Sequence, residues 1–355
     1  MSEFGKSSGQ HLEVMITVDV ESWPRLSDWR ETALAGDLAR DIYGATPDGD
    51  FGIGYQVALL QKHGLKGVFF VEALFACEVG IEPLKAIVDC IQDAGSEVQL
   101  HIHTEWFEKM SEPLLPERAY NIRELSKEGQ VRVISTAIEN LQKAGVTEVN
   151  AYRAGNFGAD FTTLEALAEC GIRYDSSYNY SYLDKGCGLE MSEMLVQPKA
   201  LDALLEYPVS CFRDYPGHYR PAQLCAVSAA EMQSAMLAAY GARWHNFVIV
   251  SHSFELLRER KSALPYGQAD WPVIRRFEEL CRHLEEHNDR YRTVGFHDVA
   301  PLPEIARNYK PLHMPIPATS IRTAARYFSQ ALRRLPREHE QRARDVLDKV
   351  GLKSY

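Results

Sequence analysis

Short runs of apolar residues alternate along this chain with longer stretches in which apolar residues recur every three or four positions. The short runs are rich in Val, Ile, Phe and Tyr and predict buried strands, whereas the longer stretches predict amphipathic helices. The predicted strands are residues 13–18, 67–71, 97–102, 148–152, 172–174, 204–209, 247–250 and 291–296. The helical pattern is clearest in YQVALLQKHG, IEPLKAIVDCIQDAG, VRVISTAIENLQKAG and AEMQSAMLAAYG.

This alternation favours parallel strands joined by crossover helices, and hence an α/β fold. Eight strands within about 300 residues are typical of a distorted (β/α)7-8 barrel rather than an open sheet. We expect residues 13–300 to form the barrel and residues 1–12 to form a disordered N-terminal segment. Residues 301–355 predict a helical C-terminal extension, made of a Pro-rich connector and a basic tail.

The charge of that tail differs from the charge of the barrel. Residues 307–355 carry 11 basic and 4 acidic side chains, a net charge near +7, whereas the remainder is near −17. The tail also has one apolar stripe, formed by Ile321, Ala325, Phe328 and Leu332. Either the tail helices pack on the acidic barrel, or their basic face contacts a membrane surface or a partner.

Composition narrows the class of partner and the compartment. The formal net charge of −10 disfavours a nucleic-acid surface, because such a surface needs clustered Lys and Arg. No apolar run approaches the ~18 residues of a membrane span, and the first residues contain no apolar leader, so we expect a soluble, cytoplasmic protein. The seven scattered cysteines include no CxxC pair and predict reduced thiols. The composition indicates no oligomeric state.

Carboxylates and imidazoles occur where the first and third predicted strands end. Because side chains alternate along a strand, Asp19 and Glu21 in ITVDVESW point the same way, as do His101 and His103 in EVQLHIHTEW. The carboxyl ends of parallel barrel strands share the face on which active sites are found. Two imidazoles and a carboxylate suit a hydrolytic divalent metal, above all Zn²⁺. Each motif alone is also typical of a core histidine or a helix-capping carboxylate.

Two further candidates follow later strands. Arg153 in AYRAGNFG ends the fourth predicted strand, where its guanidinium fork suits a nearby carboxylate, although a surface ion pair would look the same in sequence. His252 ends the seventh predicted strand in NFVIVSHS, and it is a candidate general acid near neutral pH.

In order and spacing, these segments resemble the polysaccharide deacetylase family, which has the NodB-homology fold and is also called carbohydrate esterase family four. The resemblance covers about residues 13–300 and is carried by TVDVES, QVALLQKHGLKGVFFVE, GSEVQLHIHTEW, YRAGNFG, GIRYDSSYN and VIVSHS. It implies a divalent metal held by one carboxylate and two imidazoles, and hydrolysis of an N-acetyl group on a sugar.

The resemblance also implies roles by position. It makes Asp19 the catalytic base, His101 the first imidazole ligand, and His252 the general acid for the leaving amine. It makes Arg153 the residue that orients the base.

The sequence departs from the family pattern at the metal ligands. Val20 occupies the place of the metal-binding carboxylate, and Glu21 is the nearest replacement. The second family histidine comes four residues after the first, where this chain has Glu105, so His103 or Glu105 must replace it. Strand alternation favours His103. The Asp/Trp-containing fourth motif of the family is not located in this sequence.

The sequence therefore predicts metal-assisted amide hydrolysis of an N-acetylated sugar. We expect a nucleotide-linked or lipid-linked sugar used in surface polysaccharide biosynthesis. One alternative is a C–N hydrolase that acts on an N-formyl or non-sugar substrate. Another is an inactive barrel that binds glycans or a partner, which the missing second aspartate favours and the retained Asp19, Arg153 and His252 disfavour.

Overall fold

The computed structural model describes residues 11–24, 29–30, 34–183, 185–201, 204–215, 217–258, 266–302 and 309–313. Its strands are β1 Leu12–Val20, β2 Ala45–Thr46, β3 Gly49–Asp50, β4 Gly67–Glu72, β5 Glu97–Ile102, β6 Ala151–Ala154, β7 Tyr174–Asp175, β8 Lys199–Leu201, β9 Leu204–Glu206, β10 Cys211–Tyr215, β11 His218–Pro221, β12 Asn246–His252, β13 Tyr291–Thr293 and β14 Leu312–His313. Its helices are α1 Leu34–Asp41, α2 Ile53–Lys62, α3 Ala76–Val79, α4 Ile81–Asp93, α5 Lys127–Lys143, α6 Phe161–Glu169, α7 Ala229–Gly241 and α8 Trp271–Glu286.

The main sheet is parallel and curls into a distorted barrel. Seven of the eight predicted strands follow one another in the order β12–β1–β4–β5–β6–β7–β9, and β8 adds an antiparallel edge to β9. The eighth predicted strand, β13, pairs with the beginning of β1. The α/β barrel predicted from the alternating pattern is therefore confirmed.

The barrel is irregular between β9 and β12. The amide of Ser210 donates to the carbonyl of Val248 over 3.2 Å, and the Ser210 hydroxyl accepts from the amide of Val248 over 2.9 Å. Further along, the amide of Val250 donates to the carbonyl of Ala222 over 2.9 Å. The chain that follows β9 thus completes the wall through single hydrogen bonds rather than through a long ladder.

Local sequence fixes the ends of several helices. Gly64, Gly95 and Gly145 follow α2, α4 and α5 with φ angles of 64°, 76° and 111°, in the left-handed region that glycine adopts at little cost. At the start of α7, the Ser228 hydroxyl accepts from the amide of Glu231, whose carboxylate accepts the amide of Ser228 in return. This capping box satisfies amides that the first turn leaves without helical partners.

Alternation along the strands separates two cores. On β1, Val14, Ile16 and Val18 face outward and pack against the helices. Met15, between them, faces into the barrel. The inner cluster comprises Met15, Val68, Phe70, Ala151, Tyr207, Val248, Val294 and Phe296. These residues fill the barrel below the carboxyl ends of the strands, so the inward positions above them are the ones that face the cleft.

Parts of the predicted termini lie outside the described residues, namely residues 1–10, 303–308 and 314–355. In the connector, β14 pairs in parallel with β10. None of the described helices combines the length and apolar character needed to cross a membrane. All seven cysteines are described, and each is a free thiol.

Candidate functional site

The inward-facing positions become polar where the strands end. On β1, Thr17 and Asp19 follow Met15 at steps of two residues toward the carboxyl end of the strand, and both are buried. The same step of two leads on β5 from Gln99 to His101, both buried. Because the inner cluster of apolar residues fills the rest of the barrel, these polar groups lie together at the carboxyl ends of the strands.

Three of the predicted residues form a metal-type cluster at that end. Glu21, His101 and His103 are all buried, and one ligand atom from each lies within 4.8 Å of the other two. The Nε2 atom of His101 lies 3.6 Å from Glu21 Oε2, and the Nε2 atom of His103 is in close contact with the same oxygen. The structure thus brings together the carboxylate and the two imidazoles that the sequence analysis selected.

Hydrogen bonds on the far side of each ring fix its orientation. Nδ1 of His101 lies 2.8 Å from the carbonyl of Arg153, and Nδ1 of His103 lies 3.2 Å from Glu105 Oε2. These contacts orient both rings so that each Nε2 atom points at Glu21, the position in which a cation would replace a proton between them. The side-chain Nδ2 of Asn156 donates to Oε1 of Glu105 over 2.8 Å. Glu105 accordingly supports His103 from behind and does not point at the cluster.

The glycine in YRAGNFG makes room for this arrangement. A Cβ on Gly155 would lie 2.6 Å from Cγ of His103, so a side chain there would collide with the imidazole. Asn156 follows with a φ of 55°, a left-handed conformation that asparagine tolerates better than most residues. The YRAGNFG motif thus both contains Arg153 and leaves room for the imidazole of His103.

Glu21 and His103 stabilise each other's charged forms. Burial opposes the ionisation of Glu21, but the charge of His103 and hydrogen bonds from both imidazoles outweigh it, so the pKa of Glu21 lies well below its usual range. Burial likewise lowers the pKa of His103, yet the charges of Glu21 and Glu105 raise it well above the usual value. The Glu21 carboxylate and the His103 imidazolium thus stabilise each other, and one carboxylate with two imidazoles is a common ligand set of catalytic zinc.

Asp19 and Arg153 form a buried ion pair beside the cluster. Nη1 of Arg153 donates to Asp19 Oδ1 over 2.8 Å and to the Thr17 hydroxyl over 2.8 Å. Its Nε and Nη2 donate to the carbonyl and hydroxyl of Ser176, each over 3.0 Å. The guanidinium also stacks 4.4 Å from the ring of Phe70. Because the guanidinium is held on several sides, the Asp19 carboxylate is presented in one orientation.

His252 stands on the neighbouring strand, in register with Asp19. Its Nε2 lies 4.0 Å from Asp19 Oδ2, and its Nδ1 lies 3.8 Å from Glu255 Oε2. Burial lowers the pKa of His252, but Glu255, Asp19 and Glu21 outweigh this effect and raise it above the usual value. Burial alone would raise the pKa of Glu255, but the neighbouring His252 imidazole outweighs this effect and lowers it to about 2.

The sequence analysis missed two carboxylates of this site. Glu72, buried at the end of β4, accepts the amides of Leu74 and His103, and burial raises its pKa to about 8. Its place at the end of the apolar run GVFFVE was the available signal, the same one that selected Asp19. Glu255 follows His252 by three residues, and no strand-end pattern points to it.

Asp19, Glu21, His101, His103 and His252 line a cleft of about 470 Å³, within the ~300–1,000 Å³ range of small-molecule sites. Its wall adds aromatic and polar side chains to the residues already described, namely Trp23, Glu108, Lys109, Tyr120, Phe157, Tyr182 and Gln223. A second cavity of about 240 Å³ lies at the other end of the strands and is lined by none of the residues of the cluster.

The fold is shared with a solved structure of a protein assigned as a polysaccharide deacetylase. No protein-family model and no curated protein matches the sequence. A protein from Mycobacterium smegmatis assigned as a polysaccharide deacetylase aligns with a TM-score of 0.50 and 18% identity, over 82% of this chain and 89% of that one. The predicted resemblance is thereby confirmed at the level of the fold.

Two further matches are weaker. A family 4 carbohydrate esterase from Streptomyces lividans, solved with acetate, aligns with a TM-score of 0.39 and 12% identity over 81% of this chain and 92% of that one. A family 4 pseudoenzyme from Bacillus anthracis aligns with a TM-score of 0.39 and 10% identity over 86% and 70%.

Proposed function

We propose that this protein is a metal-dependent hydrolase that removes the acetyl group from the nitrogen of an acetylated sugar. The proposal rests on one observation: three kinds of functional group lie together at the carboxyl ends of the strands. A ligand set, an oriented carboxylate and a histidine line the same cleft. They are Glu21, His101 and His103 as the ligand set, Asp19 held by Arg153 as the carboxylate, and His252.

Glu21, His101 and His103 would hold the metal, for which we propose zinc. A divalent metal bound there supplies Lewis-acid polarisation of the scissile carbonyl and a lowered pKa for water. Both imidazoles are already oriented as ligands, because Nδ1 of each has its own acceptor and Nε2 of each points at Glu21.

The protein supplies the two proton transfers. Asp19 accepts a proton from water as the water oxygen bonds to the carbonyl carbon, and Arg153 holds this carboxylate through its Oδ1 atom. His252 donates its proton to the nitrogen as the C–N bond breaks, which releases acetate and the free amine. The 4.0 Å between His252 Nε2 and Asp19 Oδ2 lets the acid and the base act on the same bound amide.

The decisive experiment measures metal content and acetate release together. The purified protein should carry about one equivalent of metal per chain and should release acetate from at least one member of a panel of N-acetyl sugars. The panel contains UDP-linked, lipid-linked and free oligosaccharide forms, with N-formyl analogues beside them. His101→Ala should lose both metal and activity. Turnover by the metal-free protein, or release of formate only, would overturn the proposal.

The basic tail carries a separate proposal about location. Because residues 307–355 are near +7 on an acidic protein, we propose that they bring the enzyme to an anionic membrane surface. The full-length chain should sediment with phosphatidylserine vesicles at low salt, and a chain that ends at His313, which keeps β14, should stay in the supernatant while keeping its activity. A full-length chain that does not bind the vesicles at low salt would contradict this role.

A further inference from the structure

His103 lies just past the end of β5, where the sheet no longer holds the backbone. The ladder between β4 and β5 ends at the pair Glu72 and His101, and the ladder between β5 and β6 ends at Ile102 and Ala154. The amide of His103 donates instead to Oε2 of Glu72. The Glu72 side chain therefore supplies, one residue beyond the strand, the acceptor that a neighbouring strand supplies within the sheet.

The Glu72 carboxyl group is itself held in one position. Its Oε1 atom accepts the amide of Leu74 over 2.6 Å. The loop between them is tied to α5, because the side chain of Asn140 donates to the carbonyl of Ala73 over 3.0 Å. Glu72 is 1% exposed, so bulk water has little access to either oxygen. Both contacts need only an oxygen acceptor, which a carboxyl group offers in either protonation state.

Glu72 acts on the cluster through the backbone and not as a ligand. Both of its oxygens already accept amides. Of the described residues, His103 lines the cleft and Glu72 does not. The rest of the run GVFFVE before it is apolar, and an apolar side chain in its place would avoid the cost of burying a carboxyl group. The hydrogen bond to His103, rather than the stability of β4, accounts for a carboxyl group at this position.

This hydrogen bond matters because His103 binds from an unusual position in the chain. The second histidine of the deacetylase pattern follows the first by four residues, where this chain has Glu105, whereas His103 follows His101 by two. His103 keeps an extended backbone, with φ of −113° and ψ of 113°, and the turn Thr104–Glu108 begins at the next residue. Its imidazole reaches the cluster because the strand conformation continues for this one residue, and Glu72 holds the amide there.

We propose that Glu72 is a positioning residue for the metal cluster, which holds the backbone of His103 so that its imidazole meets Glu21 and His101. The inference rests on the proposed function and deepens it. Glu72 is then the residue that lets this chain use a histidine two residues after the first. The metal affinity of the cluster depends on a side chain that is neither a ligand nor part of the cleft.

The test measures Co²⁺ binding by the full-length protein, because the visible absorption of bound Co²⁺ responds to its ligands and their geometry. Glu72→Ala and Glu72→Gln should each lower the Co²⁺ affinity about 10–100-fold, the range for residues that support a ligand. Both should also alter the visible spectrum. Glutamine has one oxygen for two amides, so Glu72→Gln loses a hydrogen bond with little change in shape.

Gln197→Ala is the matched control. Gln197 is also buried, and its Oε1 atom accepts the amides of His245 and Asn246 over 2.6 and 3.0 Å. It lies outside both the cleft lining and the cluster. Gln197→Ala should lower the melting temperature, as the Glu72 variants do, but should leave the Co²⁺ affinity and spectrum unchanged.

Two results with Co²⁺ would overturn the inference. Unchanged affinity and spectrum in Glu72→Gln would show that the carboxyl group supports only its own loop. An equal loss of affinity in Gln197→Ala would show a general effect of stability. A wild type that binds Co²⁺ but releases no acetate would refute the proposed function and leave these measurements decisive.

Hydrogen exchange decides the inference if the wild type binds no metal, a result that would also refute the proposed function. The amide of His103 should exchange more slowly in the wild type than in Glu72→Ala, because the buried carboxyl group accepts it. Equal exchange in the two proteins would refute the positioning role. Should Glu72→Ala not fold, the same comparison is made with Glu72→Gln.

Discussion

Nδ1 of His103 lies 3.2 Å from Oε2 of Glu105, so the carboxylate stands behind the imidazole and not beside it. This relationship separates the two residues that the sequence offered for the same task. The Nε2 atom of His103 points at Glu21 Oε2, and Glu105 orients the ring from the opposite side. Their substitutions should therefore have different effects on metal binding.

His103→Ala should abolish metal binding, because it removes one of three ligands. Glu105→Gln should lower metal affinity only about 10–100-fold, the range for residues that support a ligand. Competition with a chromophoric chelator measures both affinities. The roles would be reversed if Glu105→Gln lost the metal entirely while His103→Ala kept it.

Asp19→Asn should keep the metal but lose most of the activity. Asn cannot accept the proton of the attacking water, so kcat should fall by about 10²–10⁴-fold, as is typical of general acid–base groups. Metal analysis beside steady-state kinetics separates this outcome from the loss of a ligand. A metal-free Asp19→Asn protein would instead make Asp19 part of the metal site.

His252→Ala should impair amide hydrolysis far more than hydrolysis of an activated ester. Only the amine leaving group needs the proton that we propose His252 donates. Rates on an N-acetyl sugar and on p-nitrophenyl acetate, measured with the same preparation, give the comparison. Equal losses on both substrates would falsify the leaving-group role.

Glu255→Gln should move the alkaline limb of the kcat–pH profile to lower pH. Against the opposing effect of burial, the Glu255 carboxylate helps to raise the pKa of His252 and so keeps the imidazolium protonated at higher pH. Removing this charge lowers the pKa, and the protonated acid is then lost sooner as the pH rises. Glu108→Gln is the control. It removes a carboxylate that lines the cleft but is not among the groups that shift the pKa of His252. A limb that stays in place in Glu255→Gln would contradict the assignment.

The local sequence pattern was sufficient to predict the strands. It also predicted that the polar side chains at their carboxyl ends lie on one face of the barrel. Apolar runs bounded by turn residues located eight strands, and a period of two placed His101 with His103 and Asp19 with Glu21. Both features depend on neighbours within a few residues, so the sequence contains them directly. The common face followed from the parallel order that alternating helices impose.

Tertiary structure alone decided which groups meet. Arg153 reaches Asp19 across 134 residues of sequence, a contact that no local pattern contains. The short helical turn Thr104–Glu108 swings Glu105 behind His103, and the turn after β12 brings Glu255 to His252. These contacts depend on how the barrel closes and how its loops fold back. Each contact joins residues that are far apart in the chain or on a folded-back loop, so a local periodicity in the sequence does not predict it.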